Sequence, residues 1–291
     1  MSSPDAVVAP VPESRRAGAG SGTLGLIGDE LATQFRRWRT AAMLAALALI
    51  PVLLGVATRL VGGPSAGRGP AFLDQITGNG LFVALASLVV AIPLFLPLTV
   101  SVAAGDAVAG EASHGTLRYL LVAPAGRVRL LLVKYVAAIV FCLAATLTVI
   151  VVGLIVGWIL FPVGPITLLS GAQVSMGEGV LRLLAIGAYV AVSLSGLAAI
   201  GLFLSTVTTV PIGAMAATAL LAVTAQIVGA IPQLDAVHPW LFTDRWLDFG
   251  DLLRSPIVWD SFAGNALLQG AYILVFGAAA IARFVTKDVL S

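Results

Sequence analysis

Several stretches of about twenty residues without a single Asp, Glu, Lys or Arg constrain this chain more than any other feature, because that is the helical length needed to cross a hydrocarbon layer about 30 Å thick. Reading apolar runs between charges and Gly/Pro breaks gives six candidate spans, at residues 40–60, 81–104, 131–160, 181–204, 210–231 and 265–284. Composition agrees: 59% of the 291 residues are hydrophobic and 10% charged, against roughly 45–50% and about 25% in soluble domains. A water-soluble fold cannot hide that much apolar surface, so the expected fold class is an all-α polytopic membrane protein. Pro93 and Pro97 in the second run and Pro211 at the start of the fifth are expected to kink or begin helices.

Charge placement orients such a chain, because Lys and Arg are retained on the cytoplasmic side. With an even number of spans and both termini inside, eleven of the sixteen Lys and Arg residues fall inside and five outside. The expected location is therefore a bacterial cell membrane with both termini cytoplasmic. The third run, 131–160, is longer than a span requires, and Lys134 argues that its start lies beyond the hydrocarbon. A net charge of +2 is too small to indicate nucleic acid. The lone Cys142 offers neither a disulfide framework nor a thiolate metal site within one chain, and reads as a small buried hydrophobe.

Residues 1–23 are rich in Pro, Ala, Gly and Ser and are expected to form a disordered cytoplasmic tail. Residues 24–39 follow as an interfacial helix, with Leu31, Phe35 and Trp38 at helical spacing among Glu30, Gln34, Arg36, Arg37 and Arg39. A six-helix transmembrane domain occupies 40–291. Its outer loop, 232–264, carries Trp240, Trp246 and Trp259 among charges and is too long for a plain connector, so a small folded cap at the membrane interface is expected. His238, Asp235 and Asp244 in that loop match no stated mechanism, and the acids Asp244, Asp248 and Asp251 lack the spacing of a calcium loop.

The most specific stretch is 105–134, GDAVAGEASHGTLRYLLVAPAGRVRLLLVK, between the second and third runs. Leu117, Leu120 and Leu121 make an i, i+3, i+4 stripe beside Arg118, so a short amphipathic helix is expected after Gly115-Thr116, ended by Pro124-Ala125-Gly126. Such a helix suits docking by another protein, and Arg127 and Arg129 would pin re-entry into the bilayer. The spans carry ionisable groups only near their ends, where proton or sodium relays are not built. These residues also contain no G-x-x-x-x-G-K-[ST] phosphate loop. Energy for transport would then come from a separate protein.

At these positions the chain resembles the permeases of ABC-2-type ATP-binding-cassette exporters. The shared pattern is an acid-bearing segment, Gly-Thr-Leu, Leu-Leu, a Pro turn with a basic residue and a Lys entering the next span, here Glu111, Gly115, Thr116, Leu117, Leu120, Leu121, Pro124, Arg127 and Lys134. Arg283, Phe284, Lys287 and Asp288 are similar to the family's C-terminal end, while His114 departs from its pattern. In span count and order the resemblance runs over about residues 24–290. It implies six transmembrane helices in a type V exporter-like arrangement, an elbow helix at 24–39, and a coupling helix near 110–122 that contacts an ABC-type ATPase in two copies. ATP and Mg would bind that ATPase, with no cofactor in this chain. It also implies a second permease half, identical or homologous, and membrane lipid as surroundings. The implied coupling residues are Glu111, His114, Gly115, Thr116, Leu117, Arg118, Leu120, Leu121, Pro124 and Arg127, with Glu111 contacting the ATPase or anchoring the end of the second span. Thr146, Thr148, Ser193, Ser195, Thr224 and Gln226 are candidates for a pathway suited to an amphipathic, drug-like or lipid-like substrate. No catalytic or metal residue is expected. The alternatives are a secondary transporter or channel not driven by ATP, and a membrane-embedded enzyme.

Overall fold

The computed structural model describes residues 23–61, 79–113, 126–168 and 170–286. Eight α-helices are described in chain order: α1 (Thr23–Arg36), α2 (Trp38–Val61), α3 (Leu81–Ala91), α4 (Phe95–Ser113), α5 (Arg127–Leu160), α6 (Met176–Val207), α7 (Pro211–Gly229) and α8 (Asp260–Thr286). Five of them are long and apolar enough to cross a membrane alone, and α3 and α4, bent at their break, pass the same test only as a pair, giving up to six spans. The protein is a polytopic membrane protein. A two-residue antiparallel hairpin, β1 (Ile166–Thr167) with β2 (Gln173–Val174), and three short 3-10 helices between 232 and 253 complete the described structure.

The second apolar run is where sequence and structure differ most. One continuous helix over 81–104 would be simplest, yet α3 and α4 meet at 59°. Proline explains the break. Pro93 and Pro97 both lack an N–H, so the Pro93 carbonyl has no donor four residues on. Gln226, reaching across from α7, donates its Nε2–H to that carbonyl. Thus the bend survives in an apolar interior because a neighbouring helix satisfies the group it frees. Pro211, at the first turn of α7, instead begins a helix where its missing N–H costs nothing.

α6 is the central helix, with 78% of its apolar window buried against 17% for α8. It starts from a Ser175 N-cap, whose hydroxyl accepts from the Glu178 backbone N–H at 3.3 Å, while the Glu178 carboxylate turns to Arg182. Around it pack α4, α5, α7 and α8, while α2 and α3 lean on α5. Without a hydrophobic drive inside lipid, close approach depends on small residues. The start of α3 crosses the end of α5 with the Gly80 and Gly157 backbones in direct contact, and Gly153 lies against the Ala84 backbone. Leu220 on α7 and Leu267 and Leu274 on α8 remain exposed, as lipid-facing residues do.

We call the end of the bundle that carries α1 and residues 105–113 and 126–134 the near end, and the end carrying 232–259 the far end. At the far end, four side chains reach from the helices to loop carbonyls. Arg182 donates to Leu252 and Arg254 (both 2.8 Å), Tyr189 to Arg245 (2.6 Å), Gln269 to Phe242 (2.8 Å) and Tyr272 to Trp240 (2.7 Å). Phe242, Trp246, Phe249 and Leu252 then plug into the core. A 33-residue connector becomes a folded cap because its backbone is satisfied by long polar side chains and its apolar rings find the bundle. His238 belongs to this scaffold: its Nε2 sits 3.2 and 3.1 Å from the Val228 and Ile231 carbonyls, closing the C-terminal end of α7.

Candidate functional site

Lys134 lies on the third turn of α5, and its side chain is only 1% exposed. An ammonium cannot sit in such a place alone, since an unpaired buried charge costs several kcal/mol. Two carboxylates meet it: Glu111 Oε1 from the last turn of α4 at 2.5 Å, and Glu30 Oε1 from the middle of α1 at 3.1 Å. One cation therefore joins three helices that are far apart in sequence. Glu111 is the nearer and the more buried partner, 16% exposed against 25% for Glu30. The start of the third run, at Lys134, is enclosed by α1 and α4.

One turn deeper on α4, Asp106 Oδ2 accepts from Arg37 at 3.1 Å and Arg39 at 3.4 Å. These arginines flank the junction between α1 and α2, where the Thr40 hydroxyl donates to the Gln34 carbonyl at 2.7 Å and sets the bend. The Asp106 carboxylate folds back over Gly110, where a Cβ would stand 2.6 Å from Oδ1. Three acids and three bases thus balance around a crevice of about 40 Å³ lined by Glu30, Gln34, Arg37, Asp106 and Lys134 among others. Such a space admits a few waters and no organic ligand. The cluster binds parts of the protein to one another.

The neighbouring turn of α4 is unusual. Ser205 of α6, fully buried, donates its hydroxyl to the Gly105 carbonyl (2.7 Å) and accepts from the Val108 and Ala109 amides (3.0 and 2.8 Å). A side chain inserted into the helical ladder is a recognised cause of bending. On its other side, Gly105 lies against the α7 backbone, where a Cβ would be 2.8 Å from Met215 N. Beyond Gly126, Arg127 Nη1 donates to the Val285 carbonyl at 2.9 Å and covers the C-terminal end of α8. The described residues on either side of 114–125 are thus both anchored, by the Glu111–Lys134 clamp and by the Arg127 cap.

Of the coupling residues expected from sequence, His114, Gly115, Thr116, Leu117, Arg118, Leu120, Leu121 and Pro124 lie outside the described residues, as do Lys287 and Asp288 of the C-terminal motif. Glu111 and Arg127 are placed, Glu111 against Lys134 and Arg127 on the Val285 carbonyl. Of the pathway candidates, Thr146, Thr148, Ser193 and Ser195 donate to carbonyls of their own helices, Cys142, Ala144, Tyr189 and Val192. Gln226 holds the Pro93 carbonyl, Thr224 is exposed on α7, and none of the six lines the near-end crevice. Sequence reasoning missed Asp106 and the pairing roles of Glu30, Arg37 and Arg39. A lysine seven residues inside a 34-residue apolar helix was the available signal, since it demands counterions from other elements.

Comparison with known proteins places this geometry in a family. Residues 43–241 match the model of DUF2705, described as a protein of unknown function, and the chain belongs to that family. The matched region includes Asp106, Glu111 and Lys134 and begins after Glu30, Arg37 and Arg39. No curated protein matches the chain.

Proposed function

We propose that this DUF2705 protein is the permease subunit of an ATP-driven exporter, with the near end cytoplasmic and segment 114–125 docking a separate ABC-type ATPase. The observation that carries the reading is the clamp of Lys134 by Glu111 and Glu30. It makes the stem of that segment, the elbow helix and the start of α5 a single mechanical unit. A push delivered at 114–125 is passed to α4 through Glu111 and to α2 through Arg37, Arg39 and Asp106, rather than lost in a soft loop. The Ser205 hydroxyl, bonded to Gly105, Val108 and Ala109, ties this turn of α4 to α6. Three sequence features support the same reading: the resemblance at 105–134, the missing phosphate loop, and ionisable groups confined to the ends of the spans. Two copies of the ATPase and a second permease half complete the assembly, and an amphipathic substrate fits a chain whose inner polar groups are uncharged amides and hydroxyls.

The test is copurification of the chain with a co-expressed ABC-type ATPase and measurement of ATP hydrolysis. Deletion of 116–122 is expected to abolish the complex, and Glu111→Ala to leave it assembled but unstimulated. If complex and stimulated hydrolysis survive both changes, the docking assignment is wrong. Substrate movement in liposomes driven by an ion gradient without ATP identifies a secondary transporter instead.

A further inference from the structure

A cavity of about 570 Å³ lies at the far end and is open to the outside of the bundle. Its floor is one face of α8, on which Gly264, Leu268, Ala271, Tyr272, Val275 and Phe276 recur at helical spacing. From Gly264 to Phe276 the floor runs about 18 Å at 1.5 Å per residue. That is close to one leaflet, half of a hydrocarbon core about 30 Å thick. Trp240, 74% exposed, forms the roof, and the Tyr272 hydroxyl holds its carbonyl at 2.7 Å. An exposed Trp at one end of an apolar face is a residue suited to headgroup depth.

At the headgroup end lies Arg245. Its guanidinium rests on the bare backbone of Gly264, where a Cβ would stand 2.8 Å from Nη1. Among the described residues its one ion pair is a long contact of 4.0 Å to Asp248. Several of its N–H donors therefore remain for an anionic oxygen, and a guanidinium fits phosphate in particular. A purely anionic ligand is disfavoured, because residues 232–264 hold five acids and two arginines, with exposed Asp244 beside Arg245 and Asp248 across from it. The complementary headgroup carries phosphate and a cation together.

We propose that this cleft binds one phosphoethanolamine-headed phospholipid, with its phosphate on Arg245, its ammonium toward Asp244 and Asp248, and an acyl chain along Leu268, Val275 and Phe276. The site is independent of any ATPase, since it uses only the far-end cap and α8. Among the described residues, the near-end crevice is far too small for such a ligand, and the cavities of about 230 Å³ beside Phe249 and about 270 Å³ beside Tyr135 have no charged residue in their lining.

The test purifies the full chain, exchanges it into vesicles of equal phosphatidylethanolamine and phosphatidylglycerol, re-extracts it in mild detergent, and counts retained lipids by mass spectrometry. The wild type is expected to retain about one phosphatidylethanolamine per chain and to prefer it roughly tenfold, as loss of a charge-assisted contact implies. Arg245→Gln, which removes the phosphate contact common to the two lipids, and Ala271→Trp, which fills the cleft and keeps the charge, should each lower retention of both lipids, and replacing Asp244 and Asp248 together by Asn should abolish the preference. Thermal unfolding and monodispersity of each variant separate loss of binding from loss of fold. Equal retention of the two lipids by the wild type overturns the proposal, as does undiminished retention by both Arg245→Gln and Ala271→Trp. Competition by free phosphoethanolamine points to a soluble ligand and also overturns it. Disulfide cross-linking of Ala271→Cys to its own copy, with no lipid retained, gives the face to a second chain.

Discussion

Replacing Glu111 by Gln removes the nearer of the two carboxylates on Lys134 and keeps its shape. The ammonium, 1% exposed, is then left with Glu30 alone at 3.1 Å. Breaking a buried ion pair by removing one partner costs about 3–5 kcal/mol, chiefly the desolvation of the charge left behind. Glu30 retains part of the compensation, so the lower end, about 3 kcal/mol, is expected for Glu111→Gln. Glu30→Gln should cost less, about 1–2 kcal/mol, because Glu30 is longer in contact and more exposed, closer to a surface pair. The decisive variant is Lys134→Met. Alone it leaves two acids facing each other, but combined with Glu111→Gln it removes the charge and its partner together, so most of the loss should be recovered. The assay is reversible unfolding in mixed micelles of the wild type, both single variants and the double variant, read as a double-mutant cycle. A coupling energy of at least about 1.5 kcal/mol is expected. Additivity within about 0.5 kcal/mol, or an equal effect of Glu30→Gln and Glu111→Gln, would refute the view that Lys134 is held chiefly by Glu111.

Asp106→Asn should loosen the junction of α1 and α2 by about 1–2 kcal/mol, read as faster hydrogen exchange across 34–40, because two half-exposed arginines lose their shared anion. Gln226→Leu leaves the Pro93 carbonyl without its donor and should cost about 1–3 kcal/mol in the same micelle assay, whereas Thr224→Val, on the exposed face of α7, should cost under about 0.5 kcal/mol. Gly157→Val forces a side chain into the Gly80 backbone and should prevent accumulation of folded protein in the membrane. Burial raises the Asp248 carboxyl from its ordinary value of 3.8, despite Arg245, with Asp244 and Asp251 adding to the rise. A raised carboxyl favours folding most at pH below its unfolded value and loses that contribution as pH climbs through the folded value. Asp248→Asn should therefore flatten the fall in stability between pH 4 and 7, and an unchanged slope would assign it to other groups.

Glu111 and Lys134 were both visible in the sequence, 23 residues apart and each near the end of an apolar run. Their partner Glu30 was not, because it is 104 residues from Lys134 and reads locally as one of several charges on an amphipathic helix. Asp106 was equally hidden among small residues, and only the approach of the elbow makes it the anchor of Arg37 and Arg39. The run over 81–104 illustrates the same divide. Its prolines predicted a disturbance, but whether a proline helix kinks, breaks or straightens depends on a donor from elsewhere, and Gln226 is 133 residues away. In the sequence Gln226 is a candidate for lining a pathway, and Asn265 and Gln269 carry no reading. In the fold, Gln269 joins Asn265 at 3.2 Å and Asn265 joins Ser193 at 2.8 Å, as an interhelical polar network between α6 and α8.

What the sequence determined by itself is the class of the protein and the positions of its helices, because hydropathy and backbone self-satisfaction act over a single segment of chain and need no knowledge of neighbours. The helices over 40–60, 131–160, 181–204, 210–231 and 265–284 follow from that alone, to within a few residues at each end. What only the tertiary structure decided is the pairing of charges and the fate of freed carbonyls. A buried ion pair or an orphan acceptor inside a membrane is settled by whichever group arrives within about 3 Å, and that is a property of how the helices pack.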